Sequence, residues 1–90
     1  MLSKKRTNDL IISEILRACE EGAGKTKIVY QANLNFKTAE PYLDNLRRNG
    51  YIETFSNGPR TIYKTTPKGL ELKGRFDQFH GELEKLSACV

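Results

Sequence analysis

Apolar residues recur at helical spacing through the first half of the chain and predict three helices, each with one buried face. The first begins at Thr7 or Asn8, which suit a helix N-cap, and ends within residues 20–24, where two glycines stand. The second covers residues 26–32, and the third follows a turn at residues 33–35. The predicted buried residues are Ile11, Ile15, Ala18, Cys19, Ile28, Val29, Ala32, Leu34, Ala39, Leu43 and Leu46.

Pro41 lies near the start of the third helix and limits where that helix can begin. A proline inside a helix removes one backbone hydrogen bond and crowds the preceding turn, whereas a proline in the first turn costs little. We therefore expect the helix to start near Thr38, or to be kinked at Pro41.

The pattern changes to that of strands after Gly50. Residues 51–55 and 61–65 are rich in β-branched and aromatic side chains, and the segment between them contains Asn57 and Gly58, a strong turn signal. These two runs predict a β-hairpin with Arg60 at or near its tip. The second helix, the turn at residues 33–35 and the third helix are predicted to form a helix-turn-helix, and a hairpin directly after it is the wing of a winged helix.

The last helix is predicted to begin with Thr66 as its cap and Pro67 at its first position. Its apolar residues then alternate at spacings of four and three, which is typical of a coiled-coil seam. Gly74 and Gly81 lie opposite this seam and weaken the isolated helix, so we expect the helix to need a partner. Leu70 lies off the seam and is expected to pack on the domain. The seam consists of Leu72, Phe76, Phe79, Leu83, Leu86 and Val90.

Charges beside the seam favour an antiparallel homodimer. A register that sets Phe76 against Phe79 of a second copy brings Arg75 to Glu82 twice, whereas a parallel pair offers neither residue an ion pair. Each exposed ion pair is worth only about 0.2 to 1 kcal/mol, so charge sets the direction more than the strength. His80 is expected to flank the seam.

The charge balance adds a preference for polyanionic partners. Fifteen Lys and Arg residues against eleven Asp and Glu give a net charge of +4 and a pI near 9.2. A short basic arm of Lys4, Lys5 and Arg6 precedes the first helix and is either a phosphate contact or a solvated tail. No apolar run approaches the roughly 20 residues needed to span a bilayer, so a cytoplasmic, nucleoid-associated location without membrane contact is expected.

Residues that could support catalysis or bind a metal do not form a recognisable pattern. Cys19 and Cys89 are far apart and only His80 could join them as a ligand, so neither a zinc site nor a disulfide is predicted. Both cysteines are expected to behave as small apolar residues. Residues 22–26 match only the end of a phosphate-binding loop. We therefore expect no enzyme activity, no cofactor and no metal.

Polar residues on the third helix suggest a nucleic-acid interface. They recur about once per turn opposite the buried face, as required of a helix that lies in a major groove. An ordinary amphipathic helix pair with a solvated face would show the same pattern. The predicted DNA contacts, taken from this helix, its flanks and the hairpin, are Lys25, Lys27, Asn35, Lys37, Thr38, Asn45, Arg48 and Arg60.

Four segments resemble the archaeal winged-helix family named for a small ten-kilodalton DNA-binding protein. They are residues 24–28 (GKTKI), 32–36 (ANLNF), 42–52 and 66–72 (TPKGLEL). The resemblance implies a winged helix that binds double-stranded DNA. It also implies that the C-terminal helix forms a dimer through an antiparallel two-stranded coiled coil, and that enzymatic activity is absent.

The pattern and the resemblance together predict an α+β fold that is mainly α. Residues 1–66 are expected to form a winged helix-turn-helix domain with a two-stranded wing, and residues 67–90 a dimerisation helix. The predicted function is that of a dimeric DNA-binding transcription regulator or chromatin-like architectural factor. Glu40 and Asp44 on the third helix leave a second hypothesis open, a winged-helix module that binds protein instead of DNA.

Overall fold

Four helices and one hairpin follow each other in the computed structural model, which describes residues 8–88 and the side chains of residues 8–86. This order confirms the predicted winged helix-turn-helix with a long C-terminal helix. Lys4, Lys5, Arg6, Cys89 and Val90, which carried predictions, lie outside the described residues. The elements are α1 (Asn8–Ala18), α2 (Lys25–Ala32), α3 (Phe36–Arg48), β1 (Ile52–Asn57), β2 (Arg60–Thr65) and α4 (Pro67–Ala88).

The core lies between α1, α2, α3 and the base of the hairpin. Ile15, Leu16 and Ile28 are fully buried there, and Ile52 closes it from the first residue of β1. The helix residues predicted to be buried are all in this core, except that Leu34 is only half-buried. Burial of Cys19 raises its pKa to about 12, since the thiolate would lose its hydration, and confirms its apolar character.

Helix α3 starts two residues before the predicted position. The side chain of Asn35 accepts a hydrogen bond from the backbone N–H of Thr38 at 2.7 Å, so Asn35 is the N-cap and Phe36 the first helical residue. The predicted start near Thr38 is therefore wrong, and Pro41 lies inside the helix. The cap and the burial of the helix's apolar face outweigh the one hydrogen bond that Pro41 removes.

The hairpin strands are longer than predicted because the turn is tighter. β1 and β2 pair antiparallel from Ile52 opposite Thr65 to Asn57 opposite Arg60, which leaves two residues in the turn. The first of them, Gly58, has φ +64°, a conformation open to glycine and costly for other residues. From here on, the wing is the hairpin formed by β1 and β2.

A third segment pairs with the wing and was not predicted. Ala23 donates to the carbonyl of Tyr63 at 2.9 Å and accepts from the N–H of Tyr63 at 2.8 Å. β2 therefore lies between β1 and the residues that precede α2. This pairing fixes the base of the wing to the beginning of the helix-turn-helix.

The beginning of α4 contacts the residues that directly follow α3. The hydroxyl of Thr66 accepts from the N–H of Gly69 at 3.1 Å, which confirms Thr66 as the cap, and donates to the carbonyl of Gly50 at 2.6 Å. The Nζ of Lys68 donates to the carbonyl of Asn49 at 2.9 Å and lies 4.7 Å from the centre of the Tyr51 ring. These contacts bring the beginning of α4 next to the end of α3, although the wing separates the two helices in sequence.

Polar contacts fasten α4 to α1 and the turn after it. Lys73 pairs with Asp77 at 2.6 Å and Glu20 at 3.3 Å, and its hydrogen bond to Asp77 raises the pKa of Lys73 and lowers that of Asp77. The Nε2 of His80 lies 3.2 Å from a carboxylate oxygen of Asp9, so His80 contacts α1 in addition to flanking the seam.

The seam of α4 is only partly covered. Leu72 packs against the domain's own core, and Phe76 is half-buried, whereas Phe79, Leu83 and Leu86 are 53%, 44% and 67% exposed. Leu70 is 46% exposed, so the prediction that it packs on the domain is wrong. The buried backbone of Gly69 occupies that side of the first turn instead.

No helix within residues 8–88 is long and apolar enough to cross a lipid bilayer.

Candidate nucleic-acid interface

A three-residue turn sets α3 against α2. Asn33 ends α2 in the left-handed conformation, with φ 56° and ψ 50°, which asparagine tolerates better than most residues. The N–H of Leu34 then donates to the carbonyl of Val29 at 2.9 Å, and Asn35 caps α3. The sequence placed turn-forming asparagines at both positions, and each one has a defined backbone role.

The polar face of α3 points away from the core. Ala39, Leu43 and Leu46 are buried, while the residues opposite them are exposed, so the predicted division of this helix is confirmed. We call the exposed set the outer face of α3. It consists of Lys37, Thr38, Pro41, Asn45 and Arg48.

Both acidic residues of α3 are paired with basic residues of the same chain. Asp44 accepts from Nη2 of Arg47 at 2.9 Å and from Nε of Arg48 at 3.1 Å. Glu40 bonds to Lys25, and this hydrogen bond is the main cause of the raised pKa of Lys25. Each carboxylate thus has a positive charge beside it, which lowers its repulsion toward a polyanion next to α3.

The structure brings some predicted contacts together and separates others. Lys37, Thr38, Asn45 and Arg48 share the outer face of α3, and Asn45 also lines a groove of about 310 Å³ between α1, α3 and α4. Lys27 lines a different depression, of about 300 Å³, beside the end of α1. Asn35 was also predicted to contact DNA, but its side-chain oxygen already accepts the hydrogen bond from the N–H of Thr38 that caps α3.

Arg60 folds back from the end of the wing toward the start of α2. A Cβ added to Gly24 would lie 3.4 Å from Nη2 of Arg60, so the guanidinium is next to this glycine. Gly24 is the N-cap of α2 and contributes no side-chain hydrogen bond to the first amides of the helix. A helix N-terminus without a side-chain cap, next to a guanidinium, is favourable for binding an anion. The sequence indicated Arg60 but not its position beside the N-terminus of α2.

Three exposed aromatic rings on the helix-turn-helix and the wing were not predicted as functional residues. Tyr30 on α2 is 85% exposed, Phe36 at the start of α3 is 51% exposed, and Phe55 on β1 is 48% exposed. Apolar spacing identifies core positions, and none of these rings is in the core. Phe36 continues the apolar stripe, three residues before Ala39 and seven before Leu43, so spacing alone would place it in the core.

A helix-turn-helix with an exposed polar helix, followed by a paired hairpin, defines a winged helix-turn-helix protein. The chain belongs to the winged helix-turn-helix family, whose model matches residues 5–84. Within the part of the chain that the structure describes, no group of acidic, histidine or cysteine side chains is arranged to hold a metal ion.

Comparison with known proteins places the chain near an archaeal DNA-binding protein. It is similar to the crystal structure of Sso10a-2, a DNA-binding protein from Sulfolobus solfataricus, with 33% identity and a TM-score of 0.86 over 93% of this chain and 88% of that one. This match confirms the resemblance to the small archaeal winged-helix family. The transcriptional regulator BldR of the same organism shares the fold, with a TM-score of 0.75 at 15% identity over 90% of this chain and 61% of that one.

A longer relative shares part of its sequence with this chain. An uncharacterized protein of Methanocaldococcus jannaschii is 41% identical over 68 residues, which are 74% of this chain and 30% of the relative. The chain therefore spans less than a third of the length of that relative.

Proposed function

We propose that this protein binds double-stranded DNA as a homodimer and acts as a transcription regulator or a chromatin-like architectural factor. The observation that carries the proposal is the outer face of α3, which is exposed and polar on a helix whose two acids are paired within the chain. The net charge of +4 supports it.

In this proposal α3 lies in the major groove. Its 13 residues make a helix about 20 Å long, and the groove is about 12 Å wide, enough to admit a helix. Lys37 and Thr38 belong to the N-terminal turn, which in helix-turn-helix proteins contacts base edges. Arg48 lies at the other end of α3. It would give up its ion pair with Asp44 and bind a phosphate instead. Asn45 contacts DNA from the edge of the face.

The wing and the start of α2 hold the sugar-phosphate backbone. Arg60 and the uncapped amides of α2 approach one phosphate from two sides. Lys25 adds a positive charge at the same helix end, and Lys27 contacts a phosphate farther along. Such contacts fix the position of the protein on DNA and carry little sequence information.

The exposed seam of α4 supports the dimer. Phe79, Leu83 and Leu86 form an apolar stripe along a helix of 22 residues, and a second copy would cover this stripe. Residues 67–90 then serve as the dimerisation unit and residues 1–66 as the DNA-binding unit. An antiparallel pairing sets the two winged helices at opposite ends of a shared rod.

A salt-titrated binding assay tests the proposal. The parent is expected to bind random duplex DNA with an affinity that falls as salt rises, because phosphate contacts release counterions. A Lys37→Ala and Arg48→Ala double variant should bind more weakly and with a slope reduced by roughly two. An Arg17→Ala and Lys85→Ala variant loses the same charge away from α3 and should bind nearly as well as the parent.

Two results would contradict the proposal. One is a parent protein that does not bind duplex DNA at low salt, and the other is a Lys37 and Arg48 variant that folds normally and binds as tightly as the parent. Strong discrimination between genomic and random duplexes would indicate a regulator, and uniform binding an architectural factor.

A further inference from the structure

Phe36 occupies an unusual position for a large apolar residue. It is the first residue of α3, and its side chain is 51% exposed, although the apolar residues Ala39, Leu43 and Leu46 of the same helix are buried. The ring therefore leaves about half of its surface in water at the end of the helix that carries Lys37 and Thr38. The packing of the domain accounts for only the other half.

Some exposed large apolar residues in residues 8–86 lie on the seam of α4, and others lie elsewhere, namely Leu10, Tyr30, Phe36, Phe55 and Leu70. Phe79, Leu83 and Leu86 belong to the seam of α4, where a second copy covers them in the proposed dimer. Phe36 lies on the helix-turn-helix, so the seam offers no explanation for its exposure. A binding partner that meets the beginning of α3 would explain it.

The chemistry of the major groove narrows what such a ring can recognise. Guanine, cytosine and adenine present hydrogen-bond donors and acceptors there, which an aromatic ring cannot satisfy and would strip of water. Thymine is the one base that adds an apolar group, its C5-methyl. A phenylalanine against this methyl removes apolar surface from water on both partners.

We propose that Phe36 packs against the C5-methyl of a thymine in the major groove and makes the protein prefer thymine at that base pair. The inference rests on the DNA-binding function proposed above and adds a base preference to it. Lys37 and Thr38 follow Phe36 on the first turn of α3, and they supply the polar contacts to the neighbouring groups. Burial of a single methyl group is worth roughly a fourfold change in affinity.

Replacing thymine by deoxyuridine tests this contact, because the substitution removes the methyl group and preserves base pairing and charge. Two duplex libraries with the same randomised sequences are prepared, one with thymidine and one with deoxyuridine, and they compete for the protein at one salt concentration. The parent is expected to favour the thymidine library by roughly fourfold for each site that it reads. On one duplex selected from the thymidine library, a deoxyuridine at a single position should reproduce the loss.

Variants assign the effect to the ring. Phe36→Ala should bind both libraries equally, at the affinity of the parent for the deoxyuridine library. Phe36→Leu keeps an apolar side chain and should retain part of the preference. Phe55→Ala removes a similarly exposed ring from β1, outside α3, and should keep the ratio of the parent. Circular dichroism and thermal unfolding establish that each variant is folded.

Three outcomes distinguish the inference from the function on which it rests. A parent that binds neither library contradicts the proposed DNA binding. A parent that binds both libraries equally keeps DNA binding and overturns the role of Phe36. A preference that survives in Phe36→Ala, or disappears in Phe55→Ala, shows that the methyl group is recognised elsewhere and also overturns the role of Phe36. If Phe36→Ala does not fold, the parent and Phe36→Leu decide.

Discussion

At the scale of single residues, Gly69 shows how closely α4 approaches the two ends of the hairpin's base, Tyr51 and Thr65. A Cβ at this position would overlap the carbonyl oxygen of Tyr51 and lie 2.6 Å from Cγ2 of Thr65. We expect Gly69→Ala to lower the free energy of unfolding by about 1–3 kcal/mol, since the backbone must shift to admit one methyl group. Chemical denaturation monitored by circular dichroism measures this change.

Gly74 provides the matched control on the same helix. Apart from the adjoining backbone of α4, no atom of the described residues lies within 4 Å of a Cβ added there, so Gly74→Ala should raise the free energy of unfolding by roughly 0.5–1 kcal/mol through better helix propensity. Equal effects of the two substitutions would contradict the close contact at Gly69. The sequence shows both as helix glycines, and only the packing separates them.

Cys19 gives a prediction that depends on pH. Burial raises its pKa from 9.0 to about 12, so the folded protein holds the thiol proton more tightly than the unfolded chain does. The stability that follows is complete below about pH 9 and is lost as the pH rises toward 12. In a Cys89→Ser background, Cys19 should react slowly with a thiol reagent at pH 8 in the native state and rapidly in denaturant.

An exposed thiol serves as the comparison. Ser56→Cys on the wing, with Cys19→Ala and Cys89→Ser, should react rapidly with or without denaturant because Ser56 is exposed. Fast labelling of Cys19 in the native state would show that the end of α1 opens readily.

At the scale of elements, Pro41 is the point at which α3 departs from an ideal helix. Proline lacks the N–H that would donate to the carbonyl of Lys37, one turn earlier. Because an interior proline costs about 3 kcal/mol in a helix, Pro41→Ala should raise the free energy of unfolding by about 1–3 kcal/mol. Pro67→Ala, at the first position of α4, should change it little or lower it, since that N–H has no helical partner.

Equal stabilisation by both proline substitutions would mean that the missing hydrogen bond in α3 has no energetic weight. The same comparison explains why the start of this helix was predicted incorrectly. From the sequence, Pro41 argued for a start near Thr38, but the bond from Thr38 N–H to Asn35 sets the start two residues earlier. The proline favoured a start near Thr38, whereas the Asn35 cap favours a start at Phe36. The sequence alone does not show which of the two effects is stronger.

Periodicity predicted the elements well because it reports burial directly. The stripe of Ala39, Leu43 and Leu46 identified the buried face of α3, and the change to β-branched residues identified both strands. The pairing of Ala23 with Tyr63 joins residues far apart in the chain, and no local pattern indicates it. The ion pair of Lys25 with Glu40 also joins residues far apart in the chain, so no local pattern indicates it. It changes the charge distribution of the candidate interface.

At the scale of the whole molecule, the exposed seam should determine the oligomeric state. We expect Leu83→Asp to give monomers at micromolar concentration, because a charge would be buried within the proposed interface. Leu70→Asp is the control, since Leu70 is 46% exposed and Leu83 44% exposed on the same helix. It should remain a dimer in sedimentation velocity. Dissociation of both variants, or of neither, would place the interface on another surface.

The contacts between the end of α3 and the start of α4 affect which spacing between two DNA sites such a dimer would prefer. Thr66 and Lys68 donate hydrogen bonds to the carbonyls of Gly50 and Asn49, which directly follow α3, so we expect a rotation of α4 to turn the proposed recognition helix α3 with it. Two recognition helices on one rod then keep a constant angular phase. Both recognition helices can then bind two sites on the same face of the duplex, but not two sites that are half a helical turn out of phase. The affinity for paired sites should therefore oscillate with their spacing, with a period of about 10.5 base pairs.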